Sequence, residues 1–193
     1  MGEDIRGEIV NALMELRKAL KPKAVVFDLD GVLVDSSRRY EKCMRETMRK
    51  YRVRKPEELK HIVGAMRDFW KCFLSEKHMN LDRPKPEAAK LVRSYLSKGY
   101  KIIILTGRVK QTQERKTRKQ LKEWGIFFHE IVFRNKGDYR KDYEVKLEAL
   151  EKLMEKYNVE IVYDDSKKFL QRIRSKFPNI KTYKVDSQED LTT

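Results

Sequence analysis

Three apolar runs in this chain each end abruptly in polar residues, and this pattern limits the possible folds more than any other feature. The runs and the polar residues that follow them occupy residues 25–31 (VVFDLDG), 104–108 (ILTGR) and 162–165 (VYDD). Short continuous apolar runs are typical of parallel strands that are buried on both faces. The carboxyl ends of such strands form one edge of a sheet, where open α/β proteins bind ligands. The sequence therefore predicts that these polar residues converge on one site.

Strands and helices alternate along most of the chain, which predicts an α/β fold with a Rossmann-like, doubly wound parallel sheet. Helices are predicted over residues 3–20, 36–51, 57–78, 87–98, 109–124, 142–157 and 166–176, and strands over 24–28, 101–106, 127–133, 160–164 and 180–185. The connection between the first two strands holds more helix than a crossover needs. We therefore predict a core of residues 1–35 and 84–193, with residues 36–83 inserted after the first strand as a small helical cap.

The chain is strongly basic, with 45 Lys and Arg against 30 Asp and Glu among 193 residues, a formal net charge of +15. Such an excess favours a polyanionic partner such as DNA or RNA, although a solvated, Lys- and Arg-rich surface also fits. No apolar run approaches the roughly 20 residues of a membrane span. We predict a cytoplasmic protein without a membrane partner, and the pattern leaves its oligomeric state open.

Two cysteines, Cys43 and Cys72, stand far apart without a CxxC motif or a cluster of cysteine and histidine. This spacing argues against a zinc site. Because disulfides are rare in the cytoplasm of most organisms, the pattern favours two buried free thiols over a cross-link.

Two carboxylates directly follow the first predicted strand. Asp28 is a candidate nucleophile for phosphoryl transfer, and Asp30, two residues on, points to the same side of an extended chain. Asp30 can then protonate the leaving oxygen and later activate water. Taken alone, the segment also fits a turn that carries two solvated acids.

The second strand and a later helix supply hydrogen-bond donors. Thr106, Gly107 and Arg108 can hold phosphate oxygens, although a helix-capping threonine and a surface arginine give the same pattern. Lys146 can offset the charge of a nucleophile and a phosphate, and Asp142, one helical turn earlier, can orient it. Lys146 is otherwise an ordinary lysine in a lysine-rich chain.

Adjacent carboxylates, Asp164 and Asp165, end the fourth predicted strand, where two like charges are costly unless a cation joins them. Mg²⁺ prefers such oxygen ligands, so we predict a magnesium site formed by Asp28, the backbone carbonyl of Asp30, Asp164 and Asp165. The alternative is that the pair caps the helix that begins near Ser166.

Two further features suggest nucleic acid, and each has a plainer interpretation. The basic stretch over residues 108–122, with Arg38 and Arg39, could follow a sugar-phosphate backbone or form a solvated helix face. Phe69 and Trp70 could stack on a base, although packing inside the insertion explains them more simply.

The ordered set of Asp28-Leu29-Asp30-Gly31, Thr106, Lys146 and Asp164-Asp165 resembles the haloacid dehalogenase superfamily of phosphatases. The resemblance spans nearly the whole chain after the first helix. It implies a Mg²⁺-dependent phosphomonoesterase that acts through an aspartyl-phosphate. The second acid, Asp30, is similar to the superfamily's phosphatases and unlike its dehalogenases. Val32 stands where many members have threonine.

A narrower resemblance is to the 3′-phosphatase domain of polynucleotide kinase. It rests on residues 124–128 (WGIFF), 137–142 (GDYRKD) and 145–146 (VK), and the chain has no Gly-x-x-x-x-Gly-Lys-Ser/Thr kinase loop. The resemblance implies that Arg39, Arg108 and Asp142 belong to the active site and that the substrate is a nucleic-acid or nucleotide 3′-phosphate. A phosphatase of small esters, such as nucleoside monophosphates or sugar phosphates, and a non-catalytic nucleic-acid-binding module are the alternatives.

Overall fold

The structure is a computed structural model that describes residues 2–186 of the chain. The strands are β1 (Lys23–Phe27), β2 (Val34–Asp35), β3 (Arg83–Pro84), β4 (Lys101–Val109), β5 (Glu130–Arg134), β6 (Asn158–Asp164) and β7 (Lys181–Lys184). The helices are α1 (Gly2–Ala19), α2 (Ser37–Tyr51), α3 (Ala65–Phe73), α4 (Ala88–Ser97), α5 (Lys110–Glu123), α6 (Asp142–Lys156) and α7 (Lys167–Lys176).

A parallel sheet with the strand order β5-β4-β1-β6-β7 forms the centre of the molecule. Strand β1 lies in the middle because its residues 24–27 are apolar and buried on both faces of the sheet. Its neighbours β4 and β6 carry the other two apolar runs, so the three polar segments end side by side. The predicted α/β fold with a doubly wound sheet is confirmed.

Helices cover both faces of the sheet. Ala88 and Val92 of α4 and Leu121 of α5 pack on one face. Leu150 of α6 and Phe169 of α7 pack on the other. The central strands β1, β4 and β6 are therefore largely shielded from water on both faces, and polar residues lie at their carboxyl ends.

The stretch between β2 and β3 forms a small helical body, which we call the cap. Its apolar cluster of Cys43, Met44, Leu59, Ala65 and Phe69 is distinct from the two clusters on the sheet. The helix predicted over residues 57–78 is broken into a 3-10 turn over Pro56–His61, helix α3 and a second 3-10 turn over Met79–Leu81. A glycine in the left-handed region, Gly64 with φ +83°, begins α3.

The prediction of two free thiols was wrong, because Cys43 of α2 and Cys72 of α3 form a disulfide. The two helices pack face to face and bring the Cα atoms of the cysteines to 5.7 Å. Sequence spacing does not reveal which helix faces meet, so this pairing depends on tertiary packing alone. The disulfide cross-links the two longest helices of the cap.

Hydrogen bonds join helix α5 of the core to the cap. Thr112 Oγ1 donates to the Leu74 carbonyl over 2.7 Å, and Gln113 Nε2 donates to the Phe73 carbonyl over 3.3 Å. Gln120 Nε2 donates to the carbonyl of Met79. These contacts hold the cap over the carboxyl end of β4.

Helix α1, which matches the helix predicted over residues 3–20, exposes apolar side chains. Ile9, Leu13 and Leu16 are each more than half exposed. Among residues 2–186, no helix combines the length and the hydropathy that crossing a bilayer requires.

Candidate active site

Buried polar side chains from β1, β4, α6 and β6 meet at the carboxyl edge of the sheet. Asp28 directly follows β1, Thr106 lies in β4, Lys146 in the second turn of α6, and Asp164 ends β6, and all four are at most 6% exposed. The Asp28 N–H donates to the Tyr163 carbonyl over 2.9 Å, which fixes the backbone of Asp28 against β6. Sheet pairing therefore sets the position of Asp28 rigidly.

Lys146 is the cationic centre of this edge. Its Nζ lies 2.8 Å from Asp164 Oδ2, 3.0 Å from Asp28 Oδ2 and 3.5 Å from Asp142 Oδ2. Burial lowers the pKa of Lys146, but the surrounding carboxylates, Asp28 foremost, outweigh it and raise the pKa well above its ordinary value. Lys146 is therefore fully protonated at neutral pH.

The carboxylates outnumber this single ammonium group. Oxygens of Asp28, Asp164 and Asp165 all lie within 4.8 Å of one another. Burial raises the pKa of Asp28 well above its ordinary value, and the charges of Asp164 and Asp165 add to that effect against Lys146. Burial, followed by the charge of Asp164, also raises the pKa of Asp165. This all-oxygen donor set with excess negative charge fits a hard divalent cation such as Mg²⁺.

Two glycines allow carboxylates to approach the backbone. A Cβ on Gly31, which has φ +86°, would lie 2.5 Å from Asp165 Oδ2. A Cβ on Gly107 would lie 2.7 Å from Asp142 Oδ1. Any side chain at either position would displace the carboxylate beside it, so both glycines are required by close contact.

Asp30 faces a different partner, a buried pair of arginines. Arg108 donates from Nε to Asp30 Oδ2 over 2.9 Å and from NH2 to Oδ1 over 2.7 Å, and Arg39 NH2 donates to Oδ1 over 2.7 Å. Burial raises the pKa of Asp30, but Arg108 and then Arg39 outweigh it and hold the pKa well below its ordinary value. Asp30 is thus ionised in this arrangement.

Strand β4 continues through Val109, so Arg108 belongs to the strand and α5 begins only at Lys110. Its guanidinium lies on Asp30, although the sequence predicted that it would bind a phosphate. Thr106 Oγ1 accepts a hydrogen bond from the Arg108 N–H over 3.2 Å. The hydroxyl hydrogen of Thr106 is left to donate to a phosphate oxygen.

One residue of this site gave no sequence signal. Asp82, which precedes β3, is completely buried, with Oδ2 accepting from Arg108 NH2 over 2.8 Å and Oδ1 lying 3.0 Å from Arg39 Nε. A single aspartate in a polar segment of the insertion resembles a solvated loop residue. Only the tertiary contact with two arginines distinguishes it.

The other suggested nucleic-acid residues lie apart from this centre. Phe69 is buried in the cap, as its packing interpretation predicted, whereas Trp70 is 46% exposed and rests edge-on against Phe69. In the basic stretch of α5, Arg115 pairs with Glu76 of the cap and Arg118 with Glu114. Part of that stretch is therefore occupied by contacts within the chain.

Two solved structures share the fold of this chain. A haloacid dehalogenase-like hydrolase from Streptococcus pneumoniae superimposes with a TM-score of 0.62 at 19% identity, over 84% of this chain and 83% of that one. Protein tyrosine kinase A of Mycobacterium tuberculosis gives 0.65 at 17% identity, over 90% and 92%. At these identities, the similarity concerns the fold alone.

A structure of the Pnkp1/Rnl/Hen1 RNA repair complex contains a chain that matches with a TM-score of 0.57 at 25% identity. The match covers 86% of this chain but only 42% of that one, so this chain spans less than half of its length. No curated protein gave a significant sequence match.

The sequence model of the phosphatase domain of polynucleotide kinase PNKP matches residues 65–189. This range holds Thr106, Lys146 and Asp164, and Asp28 reaches them through the pairing of β1 with β4 and β6. The chain therefore belongs to the family of PNKP phosphatase domains in the haloacid dehalogenase superfamily and is a hydrolase of phosphoric monoesters.

Proposed function

We propose that the protein is a Mg²⁺-dependent phosphatase that forms an aspartyl-phosphate on Asp28 and acts on nucleic-acid or nucleotide 3′-phosphates. The observation that carries the mechanism is the convergence of Asp28, Asp164 and Asp165 around Lys146, with oxygens within 4.8 Å of one another. Such a cluster supplies a rigid nucleophile and the ligands of a divalent cation at one point.

In the first step, a carboxylate oxygen of Asp28 attacks phosphorus and the bond from phosphorus to the ester oxygen breaks. The leaving oxygen takes its proton from Asp30. Because the arginines keep Asp30 ionised, the substrate's phosphate must draw part of their charge away before Asp30 can take up a proton from solvent and pass it to the leaving oxygen. A negative phosphate beside Arg39 and Arg108 has this effect.

In the second step, water attacks phosphorus, and Asp30 accepts the proton that water loses. The bond between the phosphoryl group and Asp28 breaks, which restores the free carboxylate and releases inorganic phosphate. Lys146 Nζ, 3.0 Å from Asp28 Oδ2, and the hydroxyl of Thr106 hold the phosphoryl oxygens through both steps.

Asp28, the backbone carbonyl of Asp30 and Asp164 would hold Mg²⁺ directly, with Asp165 beside them. The bound cation would neutralise the excess of carboxylate charge and orient the phosphate. Asp142, 3.5 Å from Lys146 and 3.6 Å from Arg134 NH1, would keep the lysine aimed at the site.

Three features support a nucleic-acid or nucleotide substrate. The family is that of polynucleotide kinase phosphatase domains, the chain carries a net charge of +15, and one structural neighbour at 25% identity belongs to an RNA repair complex. A polyanion is attracted by such a charge from a distance. These features agree with one substrate class, a phosphorylated end of DNA or RNA in the cytoplasm.

The test is phosphate release, with Mg²⁺ or with EDTA, from 3′- and 5′-phosphorylated DNA and RNA oligonucleotides, a 3′-mononucleotide and a sugar phosphate. We expect Mg²⁺-dependent release that is fastest from a 3′-phosphorylated oligonucleotide and is abolished by Asp28→Asn. Faster release from the mononucleotide or the sugar phosphate would favour the small-ester phosphatase. Binding of the oligonucleotide without any release would favour the non-catalytic module.

A further inference from the structure

A carboxylate that the mechanism does not use lies beside the arginine pair. Asp82 is in the segment that returns from the cap to the core, between the 3-10 turn Met79–Leu81 and β3. Its side chain is wholly buried, and each of its two oxygens faces one arginine, Oδ2 towards Arg108 and Oδ1 towards Arg39. Asp82 and Asp30 thus contact the same two guanidinium groups.

The two arginines depend on Asp82 to different degrees. Arg108 directs two bonds to Asp30, one to Thr117 over 3.0 Å and one to Gln120 over 3.2 Å, besides its bond to Asp82. These contacts engage all of the donors of a guanidinium. Without Asp82, Arg108 therefore keeps most of its partners.

Arg39 has fewer contacts. NH1 donates to the Phe73 carbonyl over 3.2 Å, NH2 donates to Asp30, and the guanidinium lies 4.2 Å above the centre of the Phe73 ring. The Nε edge faces Asp82 Oδ1 at 3.0 Å, yet these two atoms are not aligned as a hydrogen bond and have no other partner among the described residues. Charge alone therefore holds this edge of Arg39, and the contact tolerates a rotation of the guanidinium.

The position of Asp82 is costly for folding. Burial raises the pKa of Asp82 to about 6, against the opposite effects of Arg108 and Arg39. A buried ion pair seldom stabilises a protein more than apolar side chains of the same shape would. A strongly perturbed carboxylate beside a site is accordingly a candidate for a functional role.

We propose that Asp82 is a positioning residue of the phosphatase, which holds the guanidinium of Arg39 next to Asp30 so that Arg39 can turn from Asp30 to the substrate's phosphate without leaving the site. The inference rests on the proposed function. Arg39 comes from α2 of the cap and Asp30 from the core. Through Asp82, the segment between cap and core would therefore take part in the chemistry of Asp30.

The main experiment is Asp82→Asn, which keeps the shape of the side chain and removes its charge. We expect kcat on a 3′-phosphorylated oligonucleotide to fall at least tenfold with a smaller change in KM, since Arg39 touches the acid–base residue Asp30. Asp68→Asn is the matched control, because Asp68 is a cap carboxylate that pairs with Lys50 and Tyr51 instead. The control should keep its full rate, and an unchanged rate in the Asp82 variant overturns the inference.

A double-mutant cycle separates positioning from a general structural effect. If Asp82 acts through Arg39, Asp82→Asn should cause no further loss in an Arg39→Gln background, whereas an additive loss overturns the proposal. If Asp82→Asn alone does not fold, the proposal is still tested by comparing kcat of Arg39→Gln with kcat of the double variant. The double variant lacks one positive and one negative charge, so its buried charges remain balanced. Unaltered protein and Asp28→Asn are assayed alongside, so that an inactive unaltered protein refutes the proposed function itself.

Discussion

Replacing Asp28 with asparagine should make the metal-free protein more stable while it abolishes catalysis. The oxygens of Asp28, Asp164 and Asp165 lie within 4.8 Å of one another, and Asp28 Oδ2 lies 3.0 Å from Lys146 Nζ. With an effective dielectric constant of about 20, each of the two repulsions costs about 3.5 kcal/mol or more, and the attraction is worth about 5.5 kcal/mol. The two repulsions thus exceed the attraction by about 1.5 kcal/mol, which disfavours an ionised Asp28, and the loss of solvation on burial disfavours it further.

This gain corresponds to a rise of about 3–6 °C in Tm for a chain of this size. Thermal unfolding is followed by circular dichroism at pH 8 in EDTA and again with Mg²⁺. The unaltered protein should gain about 2.7 kcal/mol at a Mg²⁺ concentration of about 100 times Kd, and the variant well under half of that, because it has lost a ligand. A variant that is less stable in EDTA, or that keeps the full effect of Mg²⁺, would refute the electrostatic reasoning.

Three other outcomes follow from the same contacts. Lys146→Met removes the cation between Asp28 and Asp164, so it should abolish turnover. In urea unfolding with EDTA, it should lower the free energy of unfolding by about 3–5 kcal/mol, and Mg²⁺ should restore part of this loss. Because folding raises the pKa of Asp28, the folded state binds a proton on Asp28 more tightly than the unfolded state does. The contribution of Asp28 to stability in EDTA should therefore decrease as pH rises above about 4. Thermal unfolding measured over a series of pH values should show that Mg²⁺ weakens this pH dependence. Cys43→Ser removes the cross-link to Cys72 and should lower stability by about 3 kcal/mol, with the largest loss of amide protection in the cap, as measured by hydrogen exchange.

The sheet and most of the candidate site could be predicted because they depend on local patterns. A strand buried on both faces must be apolar throughout, and the polar residues after β1, β4 and β6 mark where each strand leaves the core. The helices predicted over residues 87–98 and 109–124 are each followed by a glycine, Gly99 and Gly125, with φ of +80° and +65°, values that favour glycine at the end of a helix.

The contacts that the sequence did not predict depend on how distant segments pack. Asp82 meets Arg39 and Arg108 only after the cap has folded over the end of β4, and no spacing rule relates these positions. The disulfide is similar, since it requires one face of α2 to meet one face of α3. The break of the predicted cap helix depends on Gly64, whose left-handed backbone opens a new helix.

Polar contacts join α5 to the cap, and they bear on how a substrate gains access to the site. The apolar cluster of the cap is separate from those of the sheet, and α5 contacts the cap through hydrogen bonds to carbonyls such as those of Leu74 and Phe73 and through the ion pair of Arg115 with Glu76. Water can replace such bonds at little net cost, typically about 1 kcal/mol each, whereas it cannot replace buried apolar contacts. Opening the cap would therefore break polar contacts, among them the buried ion pairs of Arg39 with Asp30 and of Arg108 with Asp82, and the disulfide would make α2 and α3 move together.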